Sequence, residues 1–394
     1  MAEMALSAHD KDILRDLGGR IAVIAALPIQ AERRRLVQRL ENLEQAKPLI
    51  SIYQEPWNEL NVNGELDLHC GDEFCRGIEL GLRRTLYTWN HYQGDMIVGG
   101  EMIQPLCIRD TGFGIQEDVD IERTDPSSDV VSRHFNIQIS SESDLEKIRF
   151  PEVSHDAAQT ERDFQKRCEI FDGVLPVRRS GSGGFWFAPW DEIVRWTGVQ
   201  EVLLDMILRP DYVHAIVDRL VSAWLHRLDQ YEALGLLTRP AKELWAVGAA
   251  QIFSEVSPQM HEAFALQHEA RWFSRFGWVS YGCCEPLHHK VDIIRRNLPN
   301  LRRISMSPWV DFDKAVQNVG RDLIFAWKPN PALVAGPTWQ PERVRTYLRD
   351  HLRQAMAAGC VVEVHMKDIS TVNHEPQRLW EWAQIASEVS AEFA

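Results

Sequence analysis

Apolar residues recur along the chain in two rhythms, and each change of rhythm marks a new element. Between Gln30 and Gln45, Leu36, Leu40 and Leu43 return at helical spacing among Arg and Glu, which predicts a helix lying with one face on a core. Pro48-Leu-Ile-Ser-Ile-Tyr53 is short, apolar and β-branched and runs into Gln54-Glu-Pro-Trp57, the pattern of a strand ending in a loop. A helical stretch from Asp72 to Tyr92 leads to Asp95-Met-Ile-Val-Gly99, a second strand ending near Glu101. Val174-Leu-Pro-Val-Arg178 gives a third.

The second half repeats the same unit more clearly. From Pro210 to Gly235, the residues Val213, Ile216, Val217, Leu220, Trp224 and Leu228 share one helix face and a glycine closes it, backing a strand at Leu244 to Val247. Four apolar runs then alternate with helical ones: Trp278 to Cys283, Leu301 to Met306, Asp322 to Trp327, and Cys360 to Met366. The last precedes a closing helix through Arg378-Leu-Trp-Glu-Trp382. Strands alternating with amphipathic helices imply a parallel sheet with right-handed crossovers.

Eight such units fit 394 residues, so the expected fold is α/β, a (β/α)8 TIM barrel. It spans 1–394 as one domain, with N-terminal helices over 1–47 and the barrel over 48–394. The stretch 111–154, rich in Asp, Glu and Ser and without a sustained period, reads as an insertion. An open doubly wound sheet is disfavoured because no dinucleotide fingerprint occurs. Ser180-Gly-Ser-Gly-Gly184 lacks the Gly-Lys-Ser/Thr ending of a phosphate loop and reads as a tight turn.

Charge narrows the partners. A formal net charge of −14 repels phosphate backbones and anionic lipid surfaces, leaving a small molecule as the expected substrate, with no nucleic acid and no membrane. No stretch approaches the roughly 20 apolar residues of a membrane span, and the opening residues are charged. Seven cysteines, an odd number, argue for reduced thiols and a cytoplasmic location.

In such barrels the reacting groups project from the C-terminal ends of the strands. Alternation along Tyr281-Gly-Cys-Cys-Glu285 sets Tyr281, Cys283 and Glu285 on one face and Cys284 on the other. Along Glu363-Val-His-Met-Lys367 it sets Glu363, His365 and Lys367 inward, with Val362, Val364 and Met366 toward the helices. Cys283, Glu363, Lys328, Lys367 and Asp368 are the candidate catalytic residues. A thiolate, a carboxylate and an imidazole meeting at the mouth suit tetrahedral Zn2+ with one position open, so Cys283, Glu363 and His365 are the candidate ligands. Glu101, Arg179, Tyr281, Trp309 and Asn330 are candidate substrate contacts, with Trp57 and Trp186 as further aromatic walls. The same residues also admit a structural role: lysines paired with Glu363 and Asp368, and cysteines packed as small hydrophobes.

The helix opening Arg209-Pro-Asp-Tyr-Val-His214, the strand and loop Val279-Ser-Tyr-Gly-Cys283, and the run Ala358-Gly-Cys-Val-Val-Glu363 together resemble the uroporphyrinogen decarboxylase superfamily. The resemblance covers the C-terminal two thirds, with a looser echo at Glu32-Arg-Arg-Arg-Leu36, and implies a (β/α)8 barrel. In the superfamily's cobalamin-linked methyltransferases a His-x-Cys pair and a later Cys hold zinc. Here Tyr281-Gly-Cys283 stands in place of His-x-Cys, so only Cys283 carries over, and His365 or Glu363 would replace the last cysteine. The decarboxylases carry an arginine-containing motif after the first strand, where this chain reads Gln54-Glu-Pro-Trp-Asn-Glu59.

The resemblance therefore implies a methyltransferase or demethylase that moves a methyl group, with metal assistance, between a small methylated substrate and a thiol or a corrinoid. The corrinoid would ride on a partner protein, since no Asp-x-His-x-x-Gly signature occurs in this chain. A homodimer is the other expected assembly. The alternative is a metal-independent lyase or decarboxylase, in which Lys328, Lys367 and Arg179 hold a substrate carboxylate and Asp368 or Glu285 moves protons. A non-catalytic binding barrel is the third reading.

Overall fold

The computed structural model describes residues 6–123 and 131–394. Its strands in chain order are β1 (Leu49–Ile52), β2 (Met102–Pro105), β3 (Ile108–Asp110), β4 (Val119–Glu122), β5 (Ser132–Phe135), β6 (Val153–His155), β7 (Val177–Ser180), β8 (Trp186–Phe187), β9 (Trp245–Gly248), β10 (Trp278–Tyr281), β11 (Leu301–Met306), β12 (Ile324–Trp327) and β13 (Val361–Met366). Seven of them form one parallel sheet in the order β1-β13-β12-β11-β10-β9-β8. β2 and β7 pair with each other, also in parallel, as a separate two-stranded sheet. Among the described residues no ladder joins this pair to the edges β1 or β8. The large sheet nonetheless curls, because Tyr53 just after β1 and Trp186 in β8, at its opposite edges, line one cavity.

The strand ends are treated differently at the two ends of this sheet. The helix Pro28–Glu41 lays Leu40 against Leu49, Ile324 and Val361, the first residues of β1, β12 and β13. This apolar plug seals the N-terminal end, each fully buried aliphatic side chain contributing about 1.5–3 kcal/mol. The C-terminal end stays open for polar groups. Outside the sheet, the helix Pro210–Ala233 buries the face predicted for it, Val213, Ile216, Val217, Leu220 and Leu228 all being inaccessible. The helix Glu73–His91 begins where Asp72 accepts a hydrogen bond from the Cys75 backbone N–H at 3.0 Å. No described helix is long and apolar enough to cross a membrane.

The expected strand at Asp95–Gly99 does not form; β2 begins at Met102. Side chains take the backbone groups a neighbouring strand would use. Gln30 accepts from the Val98 N–H at 2.9 Å, and Arg33 donates to the Met96 and Gly94 carbonyls, both at 2.7 Å. The Asp95 carboxylate accepts from the Ile50 N–H at 2.8 Å and pairs with Lys47 at 2.6 Å. The third strand lies at Val177–Ser180, later than expected, because the N–H groups of Val174 and Leu175 bond back to the Phe171 carbonyl at the preceding helix end.

In the described part of 111–154, β4 and β5 form an antiparallel pair, and β3 and β6 a second one at its borders. The span 124–130 lies outside the described residues. At the turn after β7, a Cβ on Gly181 would lie 2.2 Å from the Leu236 carbonyl oxygen, so only glycine allows that approach.

Candidate active site

At the C-terminal ends of the parallel strands lies a cavity of about 620 Å3. Its wall includes Trp186, Val247, Ser280, Arg303, Ser305 and Ala326 from the strands and Tyr53, Gln251, Cys283, Cys284, Lys328, Lys367 and Asp368 beyond them. Alternation explains the strand contributors: Ser305 and Ala326 are register partners, and Ala326 in turn pairs with Glu363. Lys328 directly follows β12, and Lys367 directly follows β13.

Cys283 sits where five polar groups converge. Its sulfur lies 3.2 Å from the Lys367 ammonium and 3.5 Å from the Cys284 sulfur. Its carbonyl accepts from Lys328 Nζ and, at 3.2 Å, from the Ser305 hydroxyl. Its N–H donates to Glu285 Oε2 at 2.8 Å. The Cys284 thiol, donating to the Cys283 sulfur, holds the Cys283 thiol down to about 6 against the opposing effect of burial, and the Lys328 and Lys367 charges act in the same direction. Cys284 is correspondingly pushed well above the ordinary thiol range. The single Cys284 proton has a second acceptor, Asp368 Oδ2, at 3.3 Å.

The two lysines diverge. Burial pushes Lys328 below the usual lysine range. Burial acts on Lys367 in the same sense, yet the Cys283 sulfur at 3.2 Å and Asp368 at 3.3 Å hold its ammonium above that range. Lys328 is thus the readier proton donor and Lys367 the fixed positive charge.

Below them Glu363 is buried between Arg303 and His365. Arg303 Nε stands 2.5 Å from Oε1, out of line for a hydrogen bond, while its Nη2 donates to Oε2 at 3.2 Å. His365 Nε2 is 2.8 Å from Oε1, and its Nδ1 meets the Ser51 hydroxyl. Burial alone would raise the Glu363 carboxyl, but His365 and Arg303 bring it down to about 2. Since β12 presents only Ala326 here, Arg303 from β11 reaches across it to Glu363 on β13.

Tyr281 breaks the expected alternation. It is fully buried on the helical side, its hydroxyl 2.8 Å from His261 Nε2 and donating to Glu269 Oε2 at 3.1 Å. Ser280, not Tyr281, faces the cavity. Strand pairing ends at Tyr281, and Gly282, at φ +102°, redirects the chain so that Cys283 and Cys284 both border the cavity instead of parting to opposite faces. Glu269 is fully buried, and desolvation pushes its carboxyl up to about 8, so it carries a proton at neutral pH.

Four other expected substrate contacts also lie elsewhere. Arg179 pairs with Glu161 and stacks over Phe164 at 3.9 Å. Glu101 is held by Arg178 at 2.9 Å and borders a separate groove beside the helix Glu73–His91. Trp309 lies on the surface, 69% exposed. Asn330 accepts from the Ala332 N–H at 2.9 Å, capping the turn after β12, outside the cavity wall. Arg303 was missed, although Arg303 and Ser305 at alternate positions of an apolar strand are a period-two signal for polar residues facing one side.

The expected zinc ligands do not assemble. Among the described residues no three His, Cys, Asp or Glu side chains stand together as a metal-holding group. The Cys283 sulfur faces an ammonium, and Glu363 faces a guanidinium and the imidazole of His365, whose two nitrogens are both engaged. This set does not fit a tetrahedral ion.

No protein-family model matches the sequence, and no curated protein matches it. Among solved structures, a methyltransferase from Methanosarcina mazei is similar, with a TM-score of 0.54 at 12% identity, over 91% of this chain and 98% of that one. At that identity the likeness establishes a shared α/β architecture, while chemistry has to be argued from the site.

Proposed function

We propose that this chain is a single-domain methyltransferase built on a uroporphyrinogen decarboxylase-like barrel, moving a methyl group between a small methylated molecule and a corrinoid on a partner protein or a thiol. The curled sheet is read as that barrel, with β2 and β7 completing its N-terminal side. One observation carries the reading: Cys283, Lys328, Lys367 and Asp368 converge on one cavity at the C-terminal strand ends, in a chain whose architecture is shared with a methyltransferase.

When a methyl group leaves a heteroatom, negative charge grows on that atom. Lys328 and Lys367, held in a desolvated wall, are placed to stabilise it, and Lys328, depressed by burial, is the proton donor to the departing atom. The Cys283 thiolate keeps Lys367 charged and in place. Trp186 offers a flat apolar wall for the donor. A corrinoid would supply a strongly nucleophilic acceptor centre, and this chain's part would be to bind and orient the donor and exclude water from it.

The test uses purified protein, free cob(I)alamin as acceptor, and a panel of O-, S- and N-methylated compounds bearing a carboxylate, followed by the absorbance change to methylcobalamin. The expected result is turnover of at least one donor, reduced by roughly 100-fold or more in Lys328→Met. Carbon dioxide release from a carboxylated compound, with no methyl transfer to cobalamin or to a thiol, would replace this reading with the lyase, for which the cavity's Lys328, Lys367 and Arg303 also form a carboxylate-binding wall.

A further inference from the structure

Cys283 and Cys284 are neighbours in sequence, both border the cavity, and their sulfurs lie 3.5 Å apart. Successive side chains of a regular strand point apart; the Gly282 turn is what brings these two together. Lys367 Nζ lies 3.2 Å from one sulfur and 3.9 Å from the other, and Asp368 Oδ2 lies 3.3 Å from the Cys284 sulfur. A nucleophile, a resolving thiol, a cation shared by both sulfurs and a proton acceptor are thus in contact. The methyl-transfer reading uses the Cys283 charge and asks of Cys284 only the hydrogen bond that supports it.

We propose that Cys283 and Cys284 are a redox-active vicinal pair, which low-molecular-weight disulfides entering the cavity convert reversibly to a Cys283–Cys284 disulfide, switching the site off. In the first step the Cys283 sulfur attacks one sulfur of the small disulfide; an S–S bond to Cys283 forms, the small disulfide's own bond breaks, and one thiolate leaves. In the second step the Cys284 sulfur attacks the Cys283 sulfur, its proton passing to Asp368 and on to solvent, and expels the second thiolate. Two electrons leave the protein's thiols and reduce the one disulfide to two thiols. Lys367 faces the sulfur that carries charge in each step.

The bridge is of the labile kind. Cα atoms joined by a trans peptide are about 3.8 Å apart, short of the roughly 4.4–6.8 Å that unstrained disulfides span, so the ring stores strain and reopens readily on reduction. Bridging removes the thiolate from beside Lys367 and so couples the cavity's charge to the thiol–disulfide balance around it. This stands on the geometry of the pair and not on methyl transfer.

The test treats purified protein with hydroxyethyl disulfide and follows intact mass and a peptide map. Wild type is expected to lose two hydrogens, mapped to Cys283 and Cys284, and to recover them with dithiothreitol. Cys284→Ser is expected to stop at a stable hydroxyethylthio adduct on Cys283, and Cys283→Ser to form no bridge. A second probe, phenylarsine oxide, which needs two thiols in reach, is expected to be retained at this pair by wild type and lost in both variants. The proposal is overturned if wild type accumulates the stable mixed disulfide, or if the arsenical is held equally by Cys284→Ser. Both readouts are independent of any methyl donor, so failure of the methyltransferase assignment leaves them unaffected.

Discussion

The Lys367 ammonium lies 3.2 Å from the Cys283 sulfur, and this contact joins the last strand of the sheet to the loop after β10. It lies against a buried lysine, Lys328, that contributes a second positive charge nearby. Removing the Lys367 charge takes away one of the forces holding the Cys283 thiol near 6. In Lys367→Met, alkylation of Cys283 by iodoacetamide at pH 7 is expected to slow by roughly threefold to tenfold. An unchanged rate would mean that Cys284 and Lys328 alone set the thiol's state.

Glu363 and Arg303 predict a stability effect of a different kind. Glu363→Gln leaves Arg303, half-buried at the cavity wall, without its counter-charge and is expected to cost about 1–3 kcal/mol in urea unfolding, part of which Arg303→Met restores in the double variant. The pH dependence follows from the Glu363 carboxyl lying near 2 in the fold against an ordinary value of 4.5. Its contribution is complete above 4.5 and is lost as pH falls through 2. Glu363→Gln should flatten the stability profile across that window; a profile as steep as wild type's would place the acid sensitivity elsewhere.

Glu269 works in the opposite direction. Its carboxyl is pushed up to about 8 by desolvation, so the fold favours the protonated form, and the stabilisation is complete below 4.5 and lost as pH rises through 8. Glu269→Gln keeps an acceptor for the Tyr281 hydroxyl without the ionisable proton. Thermal unfolding should show the variant matching wild type near pH 5 and exceeding it near pH 9. Lower stability at both ends would show that the carboxyl is needed as such.

Much of the sheet was legible because its strands are buried on both faces. The largely apolar run Leu301–Met306 is a strand with those bounds, the run expected from Cys360 to Met366 begins one residue later at Val361, and the polar residues set at alternate positions in β13, Glu363 and His365, do face inward. What misled the reading was chemistry that period-two counting does not contain. Asp95–Gly99 has a strand's composition, but Gln30 and Arg33, far away in sequence, take its hydrogen bonds. Tyr281 was expected inward together with Cys283, but one glycine at positive φ ends the alternation between them. Glu101 directly precedes β2 and Arg179 lies within β7, a pair that no described ladder joins to the main sheet, so neither stands at a strand end beside the cavity.

That displacement is itself testable. Arg179→Ala and Trp309→Ala remove residues that lie off the cavity wall, the first in an exposed ion pair and the second on the surface. Each is expected to shift stability by no more than about 1 kcal/mol and to leave the Cys283 alkylation rate as in wild type. A marked loss of Cys283 reactivity in either would place that side chain back in the site.

Cys283 stands ionised near neutral pH beside its two lysines, and the ultraviolet absorbance of the thiolate, titrated in wild type and in Cys283→Ser, measures this. The difference between the two curves is predicted to rise with a midpoint near 6. A midpoint near the ordinary thiol value of 9, or no difference between the proteins, would show that Cys283 stays protonated at neutral pH.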